Sequence, residues 1–358
     1  MFLTGLGTAT PPTRYTQSEC WDALTSSAYL SRLSSRSRAI LKKVLLGKNG
    51  ICSRFLAFDY LAQAFDLNPD VLDARFAKHA PAVAARAAER AMAEARVDAN
   101  DIDGVIISTC TGYLCPGLSS YVSERLGLRR DVIAIDLVGQ GCGAALPNMR
   151  TGEALIASGR ARHVLSICVE ICSAAFYLDD DPGVLISACL FGDGAGAAVL
   201  SAEPLAGRRT IEWKQATTLL SPVDRDELRF ERRGGMLRNI LTPAVPAIAG
   251  RHVETVLTDA LARANLKRDD ISAWIFHAGG REILSAICQH TELTEEDVRW
   301  STEVLHDYGN VSSPCVYFVL QLALRDRAAE GYWWMSSFGA GFSCHGTLLH
   351  VTGLPAPV

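Results

Sequence analysis

With 358 residues, 49% of them hydrophobic and 21% charged, and 29 glycines, the chain has the make-up of an ordered α/β protein larger than one small domain, not of a disordered or fibrous one. A formal net charge of −4 lacks the basic excess that general nucleic-acid binding requires, so no nucleic-acid partner is expected. Met1–Gly7 shows neither a charged leader nor a long apolar core, and no apolar run is long enough for a bilayer. Neither a signal peptide nor a membrane span is expected, and a cytoplasmic location follows.

Residues 16–48 read as helical and polar, with Arg32, Arg36, Arg38, Lys42, Lys43 and Lys48 continuing to Arg54. This is either a solvated helix face or a cationic rim for a phosphorylated ligand. The Ala-rich stretch 80–97 predicts an amphipathic helix, and Gly104–Cys110 a buried strand. Next come a helix over 118–126, a strand over 132–137, a helix over 142–158, and strands over 163–169 and 196–200. The second half predicts helices over 246–265, 282–290 and from near Ser312, with strands over 271–276, 332–338 and 346–351. Apolar strands between amphipathic helices indicate an α/β sheet covered on both faces. The recurring order of helix, strand, turn and helix suggests a duplicated fold, with halves at 1–205 and 206–358 and a polar join near 201–215.

Among 11 cysteines there is no Cys-x-x-Cys pair, and Cys168 and Cys172 lack a matching His pair. Free thiols are therefore expected, with no disulfide framework and no metal. Cys142 stands apart in Leu137-Val138-Gly139-Gln140-Gly141-Cys142-Gly143, where an apolar strand meets a glycine-rich turn and a helix start. The positive end of a helix, or a nearby protonated His, would favour its thiolate. His277 follows an apolar strand in Phe276-His277-Ala278-Gly279-Gly280, and Asn310 lies in Tyr308-Gly309-Asn310-Val311-Ser312-Ser313. Strand ends are where sites form in such sheets, although a core histidine and an ordinary helix cap are the plain readings of the two residues.

Together the three suit attack of a thiolate on a thioester, with His and the Asn amide donating to the oxygen that gains charge. Asn cannot act as a base, which favours enolate stabilisation over hydrolysis. Cysteine proteases and transglutaminase-like enzymes also pair Cys with His, and a non-catalytic acyl-binding scaffold is a further alternative.

The chain resembles the chalcone synthase-like family, the type III polyketide synthases of the thiolase superfamily, along nearly its whole length. The resemblance rests on Gly7-Thr8-Ala9-Thr10-Pro11-Pro12, Ser108-Thr109-Cys110-Thr111-Gly112, Pro116-Gly117, Gly141-Cys142, Leu190-Phe191-Gly192-Asp193-Gly194-Ala195, His277-Ala278-Gly279-Gly280, Tyr308 to Ser313 and Phe338-Gly339-Ala340-Gly341. It implies a layered αβαβα thiolase fold, a homodimer, and iterative condensation of malonyl-CoA onto a starter delivered as acyl-CoA or on an acyl-carrier protein, with no further cofactor. Cys142 would carry the acyl chain, while His277 and Asn310 would support decarboxylation. Phe191 would be an aromatic gate, and Lys48 and Arg54 would contact CoA phosphates.

Leu237-Arg238-Asn239-Ile240-Leu241 offers no aromatic side chain for a second gate and places Asn239 at the cavity. Cys110, Thr111, Cys115 and Ala175 would line it with small side chains, leaving volume for a long or bulky starter. Alkylpyrone or alkylresorcinol-like products are expected on that ground. A single-condensation β-ketoacyl synthase III-like enzyme, or one joining two carrier-bound chains, is the alternative.

Overall fold

In the computed structural model, which describes residues 1–47 and 49–353, the chain opens with β1 (Phe2–Ala9) and β2 (Arg14–Thr16), then α1 (Gln17–Thr25), α2 (Ser35–Leu46) and β3 (Ser53–Phe55). It continues through α3 (Pro69–Ala95), β4 (Gly104–Thr109), α4 (Leu118–Leu126), β5 (Ile133–Val138), α5 (Ala145–Ala157), β6 (His163–Glu170), α6 (Pro182–Leu190) and β7 (Gly194–Ser201). The second half contains β8 (Thr210–Leu220), β9 (Leu228–Arg233), β10 (Met236–Leu241), α7 (Val245–Ala264), β11 (Ile271–Phe276), α8 (Arg281–Thr291), α9 (Arg299–Tyr308), α10 (Cys315–Arg325), β12 (Gly331–Gly339) and β13 (Ser343–Thr352).

Nine strands form one sheet in the order β11-β12-β13-β8-β1-β7-β6-β4-β5. The two halves of this sheet meet at a single pair, Phe2 with Glu212. Within each half the same order recurs: β4 lies parallel to β6, β6 antiparallel to β7, and β7 antiparallel to β1. Correspondingly, β11 lies parallel to β12, β12 antiparallel to β13, and β13 antiparallel to β8. Only β5 has no counterpart. As the edge strand it alternates between half-buried and exposed residues, where the sequence had suggested a strand covered like the others.

Helix α3 covers the outer face of the first half-sheet, α7 that of the second, and α5 and α10 lie between the two. The layers therefore run α, β, α, β, α. The contact of α3 with β1 is close because both surfaces are small. Ala87, Ala88 and Ala91 are fully buried, and a Cβ added to Gly5 would come within 2.0 Å of the Ala91 carbonyl oxygen. Asn148 fixes the position of α5: its Nδ2 lies 3.1 Å from Ile106 O, 2.9 Å from Ser108 Oγ and 3.0 Å from Ile167 O.

Several predicted boundaries move. The single helical region over 16–48 is two helices, because Thr16 with Glu19 and then Ser34 each cap a new start. The Ala-rich helix begins at Pro69, capped by Asn68. The helix placed at 142 is a 3₁₀ turn, Gly141–Gly143, followed by α5 at Ala145, and the one placed near Ser312 starts at Cys315. Residues 210–215, read as part of the join, are strand β8. Helices α6 and α9 and the hairpin β9–β10 were not foreseen; α6 and the hairpin strands are short, and the apolar face of α9, at Trp300, Val304, Leu305 and Tyr308, was overlooked.

Candidate active site

Cys142 sits in the turn between β5 and α5, and the end of β12 fixes that turn from behind. A Cβ on Gly339 would lie 2.4 Å from Gly143 N and 3.0 Å from Cys142 N, so only glycine allows this approach. His277 follows β11 and hangs its backbone N–H on Ser336 O at 2.9 Å. Its ring meets the edge of Phe338 with centroids 5.0 Å apart. Asn310 lies between α9 and α10. Its Nδ2 donates to Gly279 O at 3.0 Å, and its Oδ1 accepts from Ser312 N at 2.8 Å. The latter bond helps hold Ser312 at φ 59°, a left-handed conformation that a serine adopts only under such restraint.

These pieces converge. One cavity is lined by Cys142, Phe191, His277 and Asn310, with Leu190, Phe338 and neighbouring apolar side chains. Cys142 and Phe191 also face a larger cavity, which Cys110, Thr111, Ala175, Asn239 and Ser312 help to line. A third cavity, almost entirely apolar, adjoins it and shares Phe176 and Ala188 with its wall.

Burial sets the charge states. It pushes the Cys142 thiol up to about 12, although a hydrogen-bonding contact with Ser312 Oγ at 3.3 Å acts the other way. It also drives the His277 imidazole down to about 3. Thiol and imidazole are therefore both neutral in the ligand-free protein, contrary to the thiolate suggested by a helix start, because burial disfavours the charged form of each. His277 Nδ1 is buried and has no hydrogen-bond partner among the described residues.

Beside Cys142 runs a polar chain that sequence reasoning missed. Glu170 is fully buried and accepts from Thr111 Oγ1 at 2.8 Å, Cys110 N at 3.0 Å and Ser313 Oγ at 2.5 Å. Cys110 Sγ lies 3.3 Å from Glu170 Oε1 and 3.7 Å from Ser312 Oγ, which in turn reaches Cys142. Burial raises the pKa of Glu170 and, together with the Glu170 charge, that of Cys110. Glu170 closes an otherwise apolar strand, the one signal that could have marked it. Phe230 was also missed. It pairs with Asn239 across the β9–β10 hairpin and brings an aromatic ring to the cavity from the opposite strand.

Two expectations do not hold in the form given, and a third is not tested. Arg54 is 2% exposed and donates to main-chain carbonyls, so it is not available to a CoA phosphate. Cys115 is exposed and lies outside the cavity walls formed by this chain, because the loop before α4 turns it outward. Lys48 lies outside the described residues. Among the described residues, no group of His, Cys, Asp and Glu is placed to hold a metal ion, and no helix is long and apolar enough to cross a membrane.

The sequence model described as "FAE1/Type III polyketide synthase-like protein" matches residues 14–220, and that described as "Chalcone and stilbene synthases, C-terminal domain" matches 225–352. The chain belongs to the type III polyketide synthase family. It is 30% identical over 332 residues to 3,5-dihydroxyphenylacetyl-CoA synthase from Streptomyces toyocaensis, spanning 90% of this chain and 83% of that one. It is 31% identical over 348 residues to 1,3,6,8-tetrahydroxynaphthalene synthase from Streptomyces peucetius subsp. caesius, spanning 96% and 91%. In structure it is similar to PKS-I of the brown alga Ectocarpus siliculosus, with a TM-score of 0.89, 25% identity and 98% coverage of both chains. The fold is also shared with 1,3,6,8-tetrahydroxynaphthalene synthase from Streptomyces coelicolor A3(2), with a TM-score of 0.86, 21% identity, and coverage of 99% of this chain and 100% of that one. As a type III polyketide synthase the chain is an acyltransferase that forms carbon–carbon bonds on a thiolase-like fold.

Proposed function

We propose that this synthase carries an acyl starter on Cys142 and extends it by decarboxylative, iterative condensation with malonyl-CoA. The observation that carries the reading is the one cavity lined by Cys142, His277 and Asn310, and beside it His277 Nδ1 is buried without a hydrogen-bond partner among the described residues. A buried polar atom left unpaired is costly unless a ligand supplies the partner.

The Cys142 sulfur attacks the starter carbonyl, the bond from that carbonyl to the CoA sulfur breaks, and the departing CoA thiolate takes up the thiol proton. Malonyl-CoA then loses CO2, and the electron pair of the broken C–C bond becomes an enolate. Its oxygen accepts hydrogen bonds from His277 and from the second N–H of Asn310 Nδ2, the first being committed to Gly279. The enolate carbon attacks the acyl carbonyl on Cys142, a C–C bond forms, the C–S bond breaks, and the Cys142 sulfur is freed for another round. A neutral His277 suits this role, since it donates without bringing a second charge into the cavity. Donors aimed at a developing oxyanion in a water-poor site are each worth about 10²–10³ in rate.

For the starter we propose a long acyl chain, giving alkylpyrone or alkylresorcinol-like products. The small side chains of Cys110, Thr111 and Ala175 and the adjoining apolar cavity support this. Exposed Arg36, Arg38, Lys42 and Lys43 on α2, which packs against the helix leading to Phe191, support delivery on a phosphorylated arm, from CoA or a carrier protein. The uncovered edge strand β5, with Val138 61% exposed, supports a homodimer.

The test is to incubate the purified protein with labelled malonyl-CoA and acyl-CoAs of graded length. Products heavier by several two-carbon units are expected, with long chains preferred. Release of only free CoA and hydrolysed acid would refute the reading, and addition of one unit would favour a single-condensation enzyme.

A further inference from the structure

Arg54 is a buried guanidinium that makes no ion pair among the described residues. A buried cation without a carboxylate partner is costly, and it persists only where other groups accept its hydrogen bonds. Here the acceptors are the carbonyls at the C-terminus of α6. Nη1 donates to Ala188 O at 2.7 Å and to Phe191 O at 2.8 Å, and Nη2 lies 3.5 Å from Cys20 Sγ. The negative end of a helix dipole is a favourable place for a cation.

The rest of this helix end is held from other elements. Gln17 Nε2 donates to Cys189 O at 3.0 Å, and Asn310 N donates to Leu190 O at 2.9 Å. Asn310 O in turn accepts from Gly192 N at 3.0 Å, so the Phe191 segment and the Asn310 loop form a bridge. Gly309 packs on the Arg54 side chain: a Cβ there would lie 2.8 Å from Arg54 Cγ. Arg54 thus touches both sides of the bridge, the segment with the aromatic ring at the cavity and the loop with the amide donor.

We infer that Arg54 is a positioning residue that locks the Phe191 segment to the Asn310 loop, so that the ring at the mouth of the reaction cavity and the amide that receives the enolate keep one relative placement through every extension. The inference rests on the condensing reading above. Loading of Cys142 needs neither member of the bridge, whereas repeated extension needs both. Lysine at this position would keep the charge, but one ammonium cannot keep both the two carbonyls at Nη1 and the Cys20 contact at Nη2, and methionine would remove charge and donors together.

Arg54→Lys, Arg54→Met and Gln17→Met are compared with wild type at a temperature where all are folded. Acylation of Cys142 in a single turnover is read by protein mass, and the number of units added to a fixed acyl-CoA by product mass. Loading within about twofold of wild type is expected in Arg54→Lys, with extension slowed about tenfold and products shortened, and extension slowed about a hundredfold in Arg54→Met. Gln17→Met removes a donor from the same helix end without touching the bridge, so its product lengths should match wild type. The inference is overturned if Arg54→Lys keeps the wild-type product lengths, or if loading and extension fall together in step with melting temperature in all three variants. If wild type itself adds no unit, the condensing reading fails first, and the two failures are distinguishable.

Discussion

The two halves of the molecule share a strand order but not a chemistry. Helices α5 and α10 occupy corresponding places between the sheets, and each is preceded by a turn bearing a site residue, Cys142 in one half and Asn310 in the other. Strands β4 and β11 also correspond. The loop after β4 carries Cys110 and Thr111 tied to buried Glu170, while the loop after β11 carries His277, whose Nδ1 has no partner among the described residues. In the proposed reaction the first half holds the nucleophile, beside a closed polar network. The second offers hydrogen-bond donors to whatever enters. The repeated strand order supplies two sets of junctions facing one another, and in the proposed reaction one set makes the bond while the other stabilises charge.

The sharpest way to break this division is to disable each half in turn. Cys142→Ala should abolish acyl loading and all product, an effect of more than about 10⁴, read as absence of an acyl-mass increment. His277→Gln and Asn310→Ala should still load, but should lose decarboxylation by about 10²–10³, read as CO2 released from labelled malonyl-CoA. Equal loss of loading in all three would show that the halves do not divide the work.

The contact that joins the halves at the nucleophile can be tested next. Gly339→Ala places a methyl where Gly143 N now lies 2.4 Å away, and should destabilise the fold by roughly 1–3 kcal/mol by denaturant titration while displacing the Cys142 turn. An unchanged midpoint would show that the turn yields freely.

Acid stability separates the halves by titration. The folded His277 value near 3 lies below its ordinary 6.5, so the unfolded chain takes up a proton that the folded one refuses. This contribution to stability is present above pH 6.5 and is lost as pH falls toward 3. Between pH 6.5 and 5 the loss is about 2 kcal/mol. In His277→Gln that part of the pH dependence should vanish, and an identical acid limb in both proteins would contradict neutral burial.

The smallest effect concerns the thiol. With Cys142 raised to about 12, alkylation by iodoacetamide in the ligand-free protein should climb about tenfold per pH unit up to pH 10 without a plateau. Loss of the Ser312 contact in Ser312→Ala should slow it by about two- to fivefold. A plateau near neutral pH would indicate a pre-formed thiolate.

Cys142, His277 and Asn310 were legible because each sits in a glycine-marked turn where a strand or helix ends, a local signature that survives in one dimension. Phe191 was legible only through family resemblance, since nothing local distinguishes it from a core phenylalanine. Ser312 stood inside a recognised segment without a role, because its reach to Cys142 crosses from one half to the other. Arg54 and the exposed cations of α2 look alike as a basic run, yet one is sealed under α6 and the others face water.

The alternation of strands and helices along most of the chain, and the glycine-marked turns that singled out Cys142, His277 and Asn310, follow from the chain alone, because periodicity and turn chemistry act between neighbours. Charge state, partnership and the walls of the cavity were decided by the tertiary structure. Burial raised the Cys142 thiol and lowered the His277 imidazole, the β9–β10 hairpin brought Phe230 opposite Asn239, and Arg54 became a clamp. Each of these depends on how much water is excluded and on which distant backbone arrives, quantities that a linear sequence does not contain.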